Sequence, residues 1–128
     1  MRSSPSAGQQ SARDPEQVEP NAPRTIAGFL VAYETETGEF WPIFQGQNVV
    51  GRRGASPGLH IEIDHPTTSS RHALLLASAR PGRVKLEDLG STNGTFVGDQ
   101  QLERGRKHEL RDGDKLRFGG LRVIVKIV

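Results

Sequence analysis

Cysteine is absent from the 128 residues. That removes a disulfide framework, a thiol nucleophile and any cysteine-based zinc site, and it is compatible with a reducing compartment. The four histidines lack metal-ligand spacing, and no glycine-rich loop is followed by Lys-Ser or Lys-Thr, so neither a metal nor a nucleotide cofactor is expected. The N-terminus has no apolar h-region, and no run approaches the length of a membrane span. A soluble, cytoplasmic protein is the expectation. Charge of one sign is lacking too: 17 Lys and Arg face 15 Asp and Glu, a net charge of +2. In the first 24 residues Arg2, Arg13 and Arg24 balance Asp14, Glu16 and Glu19, so the slight excess lies further on. It is too small to argue for nucleic acid by bulk electrostatics. Helical periodicity is missing as well, for no ten-residue segment shows it.

What is present is a polar start followed by short β-prone runs. Residues 1–24 are rich in Ser, Pro, Gln and Ala, show no apolar period and read as a disordered tail. From Thr25 the pattern changes. Ile26, Phe29, Leu30, Val31 and Tyr33 form a first strand, and Phe40–Phe44 a second. Pro42 lacks a ladder donor, which predicts an edge or irregular position. Asn48–Val50 ends at Gly51, and a loop runs from Arg52 to Gly58. His60–Ile63 alternates, His72–Ala77 is apolar around Leu74–Leu76, and Val84–Leu86 alternates again. Gly98-Asp99 is a hairpin-type turn, with short strands at Gln101-Leu102 and Lys107–Leu110. Lys115–Phe118 turns at Gly119-Gly120 into a last strand with Leu121, Val123, Val125 and Ile127 inward and Arg122 and Lys126 outward. Many short strands at short spacing mean an all-β sandwich or barrel over residues 25–128.

Residues 86–97 (Leu-Glu-Asp-Leu-Gly-Ser-Thr-Asn-Gly-Thr-Phe-Val) read as strand, tight polar loop, strand. Glycine adopts positive φ at no steric cost and Asn tolerates it, so the loop can be rigid and can present polar groups at a sheet end. This stretch resembles the signature of the forkhead-associated (FHA) domain, a phosphothreonine-reading module. Three further blocks resemble the family in the same order: Gly51-Arg52, the Ser-x-x-His of Ser69–His72, and Leu110–Gly119 with its Asp112-Gly113-Asp114. The resemblance implies a sandwich of two twisted, mainly antiparallel sheets of the FHA/SMAD-like kind, with binding loops at one end. One departure is visible: Phe96-Val97-Gly98-Asp99 stands where the family often has Phe-Val-Asn-Gly.

A phosphothreonine carries about −1.5 to −2 charges and three strong acceptor oxygens. Reading it needs a permanent cation of fixed geometry and a few neutral donors. The resemblance gives Arg52 the phosphate contact, which suits a planar guanidinium fork. It gives Ser69 a hydroxyl donated to a phosphate oxygen, Ser70 a second donor, and Arg71 a place at the rim. Thr92 is implied to lie near the phosphothreonine, and Asn93 to hold the peptide backbone, as an amide that donates and accepts can do. Gly51, His72, Gly90, Ser91 and Gly94 are expected to support the site structurally. Arg53, next to Arg52, is expected to face away, since successive strand residues point oppositely.

The partner implied is a phosphothreonine-bearing protein or peptide, a Ser/Thr kinase or its substrate, bound by a monomeric adaptor. The tail offers Ser3, Ser4, Ser6 and Ser11 but no threonine, so it is not expected to be a strong ligand for its own domain. Two rival classes stand beside this one. A hydrolase using Ser69, His72 and Asp64 or Asp88 lacks a nucleophile elbow. A scaffold of the same fold could bind an unphosphorylated partner through another face.

Overall fold

The computed structural model describes residues 14–18, 24–34 and 38–128. Its strands are β1 (Ile26–Ala32), β2 (Phe40–Phe44), β3 (Gly46–Arg52), β4 (Ile61–Ile63), β5 (Ala73–Ser78), β6 (Arg83–Asp88), β7 (Thr95–Val97), β8 (Gln100–Gln101), β9 (His108–Glu109), β10 (Lys115–Phe118) and β11 (Leu121–Ile127). They form a six-stranded sheet in the order β2-β1-β11-β10-β7-β8 and a five-stranded sheet in the order β4-β3-β5-β6-β9. The all-β reading holds, and so does the edge position of β2. Pro42 costs no ladder bond there, because β2 has a single neighbour in its sheet.

The two sheets enclose a core whose largest fully buried side chains include Phe118, Leu30, Ile43, Ile61, Leu75 and Leu86. Alternation is clean in β6, where Val84, Leu86 and Asp88 are buried, and in β11, where Leu121, Val123 and Val125 are buried. β5 breaks the alternation for a physical reason. Ala73, Leu75 and Ala77 join the core, yet Leu76 on the outer face is only 7% exposed. A single 3₁₀ turn, Pro15–Gln17, packs over β5 and β6 and covers that face. Asp14 and Glu16 both bind the ammonium of Lys85, the cross-strand neighbour of Leu76, at 3.3 and 2.7 Å. Burial of Pro15 holds the turn down. The disordered reading of residues 1–24 therefore does not extend to 14–18; residues 1–13 and 19–23 lie outside the described residues.

Most pairings are antiparallel, but β3 and β4 run parallel, with Arg52 opposite Ile63. This pairing extends β3 through Arg52, one residue beyond the break expected at Gly51. The amide of Arg53 donates to the Ile63 carbonyl at 2.9 Å and continues the ladder. The C-terminal ends of β3 and β6, the start of β5 and the β10–β11 turn meet at one pole of the sandwich. Hydrogen bonds from Arg52 N to Ser69 O, Leu89 N to His72 O and Gly119 N to Gly94 O join them.

Candidate functional site

Gly51 determines how close two of these connections come. A Cβ there would collide with the Ser70 carbonyl oxygen and sit 2.7 Å from Leu59 Cδ2, so only glycine admits the loop that follows β4. The close approach lets the Arg52 amide donate to Ser69 O at 3.0 Å. Arg52 Nη1 donates to Thr68 O at 2.8 Å, which orients the guanidinium beside that loop. Arg52 makes no ion pair among the described residues, so its charge has no internal carboxylate there to neutralise it. Arg53 points the other way, toward Glu39 and Asp64, each at 3.7 Å.

His72 locks the loop of residues 64–72. Its Nδ1 accepts the Ser69 amide at 3.0 Å, so the ring proton resides on Nε2 and is donated to Gly94 O at 2.9 Å. The ring is fully buried and stands edge-on to Phe118, with centroids 5.7 Å apart. Burial pushes the imidazole pKa down, against a smaller upward pull from the Gly94 bond, and keeps the ring in this neutral tautomer. With both nitrogens engaged by backbone, His72 has no hydrogen bond to the Ser69 hydroxyl. A Ser-His-Asp triad is not assembled.

The loop of residues 89–94 is locked by a residue that the sequence singles out only as a candidate hydrolase acid. Asp88 ends β6 facing the core, 5% exposed. Oδ2 accepts the amides of Gly90 and Ser91 at 2.8 and 3.1 Å. Oδ1 accepts the hydroxyls of Ser91 and Thr95 at 2.5 and 2.7 Å. Burial alone would raise the pKa of this carboxyl; the bonds from Ser91, Thr95 and the two amides outweigh it and hold the pKa below the usual range. Ser91 Oγ in turn accepts the Gly94 amide at 3.0 Å. The available signal was an Asp two and three residues before Gly90-Ser91, the spacing at which an Asx side chain bonds a turn backbone.

The two locked loops join at the tip. The Thr92 amide donates to Ser69 Oγ at 2.9 Å, which leaves the Ser69 hydroxyl proton available to an outside acceptor. Asn93 Nδ2 donates to Thr67 O at 2.9 Å, so one amide hydrogen is occupied internally while its other hydrogen and its oxygen stay available. Thr67 is held by the Gly120 amide, which donates to its Oγ1 at 2.7 Å, and by His65 Nδ1 at 2.7 Å. Arg52, Ser69, Ser70, Arg71, Thr92 and Asn93 all line one open cleft of about 440 Å³, with Thr67, Thr68 and Gly90. Ser70, Arg71, Thr92 and Asn93 reach its open side, and Arg71 has a 3.5 Å contact to Pro57 O. Gly51, His72, Ser91 and Gly94 stand behind the cleft wall. The arrangement offers fixed N–H and O–H donors, two guanidinium groups and no acidic side chain in the lining, which is the chemistry of an anion site.

The sequence model of the FHA domain matches residues 48–119, more than half of the chain, and the protein belongs to that family. FHA domains are protein-interaction modules. Over 80 residues the chain is 36% identical to Mediator of DNA damage checkpoint protein 1 of Rattus norvegicus, covering 61% of this chain and 6% of that protein. Over 70 residues it is 41% identical to Smad nuclear-interacting protein 1 of Mus musculus, covering 46% and 18%. The chain thus spans less than a fifth of the length of these curated relatives. Among solved structures it is similar to the FhaA FHA domain, solved in complex with the intracellular domain of Rv3910, at 26% identity and a TM-score of 0.64 over 77% of this chain and 99% of that one. It shares the fold of the yeast Dun1 FHA domain at 22% identity, with a TM-score of 0.68 over 89% and 83%.

Proposed function

We propose that residues 25–128 are an FHA domain that binds phosphothreonine in a partner protein, with the phosphoryl group in the cleft beside Arg52. One observation carries this reading. The cleft gathers all six side chains assigned to phosphopeptide contact, and its central arginine is oriented by a backbone carbonyl with no carboxylate beside it among the described residues. Ser69 supplies a hydroxyl proton whose oxygen is already oriented by the Thr92 amide. The available half of the Asn93 amide is suited to an extended peptide backbone, and Ser70, Arg71 and Thr92 line the mouth. Solved relatives bound to phosphopeptides support the same role, since the Dun1 domain was determined with a doubly phosphorylated peptide.

The finer expectations are carried into this proposal. The domain acts as a monomeric cytoplasmic adaptor that reads the product of a Ser/Thr kinase. A hydrogen bond to a charged group contributes about 1.5–3 kcal/mol, so Arg52→Ala is expected to lower phosphopeptide affinity by roughly ten- to a hundredfold. The methyl that separates threonine from serine accounts for about 0.8 kcal/mol, or roughly fourfold. Titration of a phosphothreonine peptide, its phosphoserine analogue and the unmodified peptide, against wild type and Arg52→Ala, tests the reading. Equal binding of phosphorylated and unmodified peptides would refute it and favour a scaffold that uses another face.

A further inference from the structure

The outer face of the six-stranded sheet carries an unusual charge placement. Arg117 on β10 stands directly opposite Arg122 on β11, and Lys115 lies two residues before Arg117 on the same face. Like charges directly opposite across an antiparallel pair destabilise it. Arg122 is relieved by Glu34 at 2.9 Å. Lys115 and Arg117 have no carboxylate partner among the described residues. Lys115 sits 5.8 Å from the Tyr33 ring, and Arg117 stacks 3.8 Å over Phe96 and donates to Gly119 O at 2.8 Å. Two clefts of about 360 and 290 Å³ share Tyr33, Arg117 and Arg122; each has one acidic residue in its lining, Asp99 in the first and Glu34 in the second, against two or three basic side chains. The second is also lined by His65 and Gly120, both bonded to Thr67, which lines the proposed phosphate cleft.

We propose that this basic face binds an acidic flank of the phosphopeptide: carboxylate side chains at alternate positions of the segment that leaves the cleft past Asn93. The inference rests on the phosphothreonine reading and extends it to the class of partner. Arg117 is two residues from Gly119, whose amide bonds Gly94 beside Asn93, so about three or four extended residues cover the gap. Lys115 and Arg117 are spaced i, i+2 along a strand, about 7 Å apart, and alternate side chains of an extended peptide repeat at that interval. Separate single charges therefore fit the face better than one compact dianion. Glu34 is the internal competitor that such a flank displaces from Arg122.

Three phosphothreonine peptides test this against the full chain: one with neutral flanks, one with Glu at alternate positions three to seven residues on either side, and one with Lys there. The Glu peptide is expected to bind about five- to tenfold tighter than the neutral one, and the Lys peptide more weakly, with the difference shrinking in high salt. In the double variant Lys115→Gln/Arg117→Gln the gain should fall below twofold while neutral-peptide affinity stays put, which also reports an intact fold. Glu34→Gln should enlarge the gain, and Lys107→Gln, in the loop before β9 of the other sheet, should leave it. A gain that is absent in wild type, or that survives the double variant, overturns the inference while the phosphothreonine reading stands. If no phosphothreonine peptide binds wild type, both fall.

Discussion

The connections 53–60 and 89–94 border the same arginine but are built on different terms. Residues 89–94 hang from Asp88, whose two oxygens hold two amides and two hydroxyls at 2.5–3.1 Å from a buried position. Residues 53–60, which follow Arg52, are mostly exposed, and apart from the part-buried bond from Val49 N to His60 Nδ1 at 2.9 Å their side-chain hydrogen bonds lie in water, such as Gly54 N to Glu62 Oε1 at 3.1 Å and Ser56 Oγ to Pro57 O at 3.3 Å. Charge-assisted bonds out of solvent resist opening, whereas exposed ones exchange readily with water. The difference separates two tasks. One loop holds donors at fixed spacing, as the proposed phosphate site requires. The other is free to differ in sequence without moving that spacing.

The largest effect should come from removing the hub of the locked loop. Asp88→Ala strands four donors and should cost about 3–5 kcal/mol in urea unfolding, with phosphopeptide binding lost as well. A loss under about 1 kcal/mol would show that the loop does not depend on this carboxylate. Next comes Gly51→Ala, where the added methyl meets the Ser70 carbonyl. It should cost about 2 kcal/mol or more through strain, and should weaken binding at least tenfold, because Ser69 is pushed away from Arg52.

Acidification should follow. Burial lowers the pKa of His72 in the fold from 6.5, and partial desolvation with the Arg24 and Arg71 charges lowers that of His60, so the unfolded chain takes up protons first as pH falls. Their contribution is complete above about pH 6.5 and is lost progressively below it. Asp88, lowered from 3.8, adds its own loss in a more acidic range, as pH falls through its folded pKa. Thermal midpoints that stay flat from pH 7 to 5 would contradict the neutral, backbone-bonded His72. The smallest effect belongs to the other loop. Gly54 has φ +74° with open space where a methyl would stand, so Gly54→Ala should cost about 1 kcal/mol and change affinity less than twofold.

Much of this was readable from residues alone. Missing helical periods and frequent turns pointed to a sandwich, and Pro42 to an edge. The motif blocks singled out six of the ten residues that line the cleft as contacts, and Gly90 as support, but not Pro66, Thr67 or Thr68. What escaped has a common cause. Asp88 looks like any turn aspartate, since its importance comes from burial, which a polar residue beside a loop does not advertise. The parallel pairing that carries β3 through Arg52 depends on β4, nine residues further on, and not on any local pattern. The docked turn at Pro15–Gln17 lies in a stretch of polar composition, and only the apolar run Leu74–Leu76, one residue too many for strict alternation, hinted that something covers β5.

The route of β11 sets where the body can be tethered. It starts at Leu121, beside the turn whose Gly120 holds Thr67, and runs the height of the sandwich to Ile127, opposite Gly28 near the start of β1. Val128 is bonded there to Ala27 and to Gly82 of the β5–β6 turn. Entry to β1 and exit from β11 thus share the pole opposite Arg52. A polypeptide continuing from β11 starts at that far pole, whereas the chain ahead of β1 lies over β5 and β6 at Pro15–Gln17, so cargo carried beyond β11 leaves the Arg52 cleft open to an incoming partner.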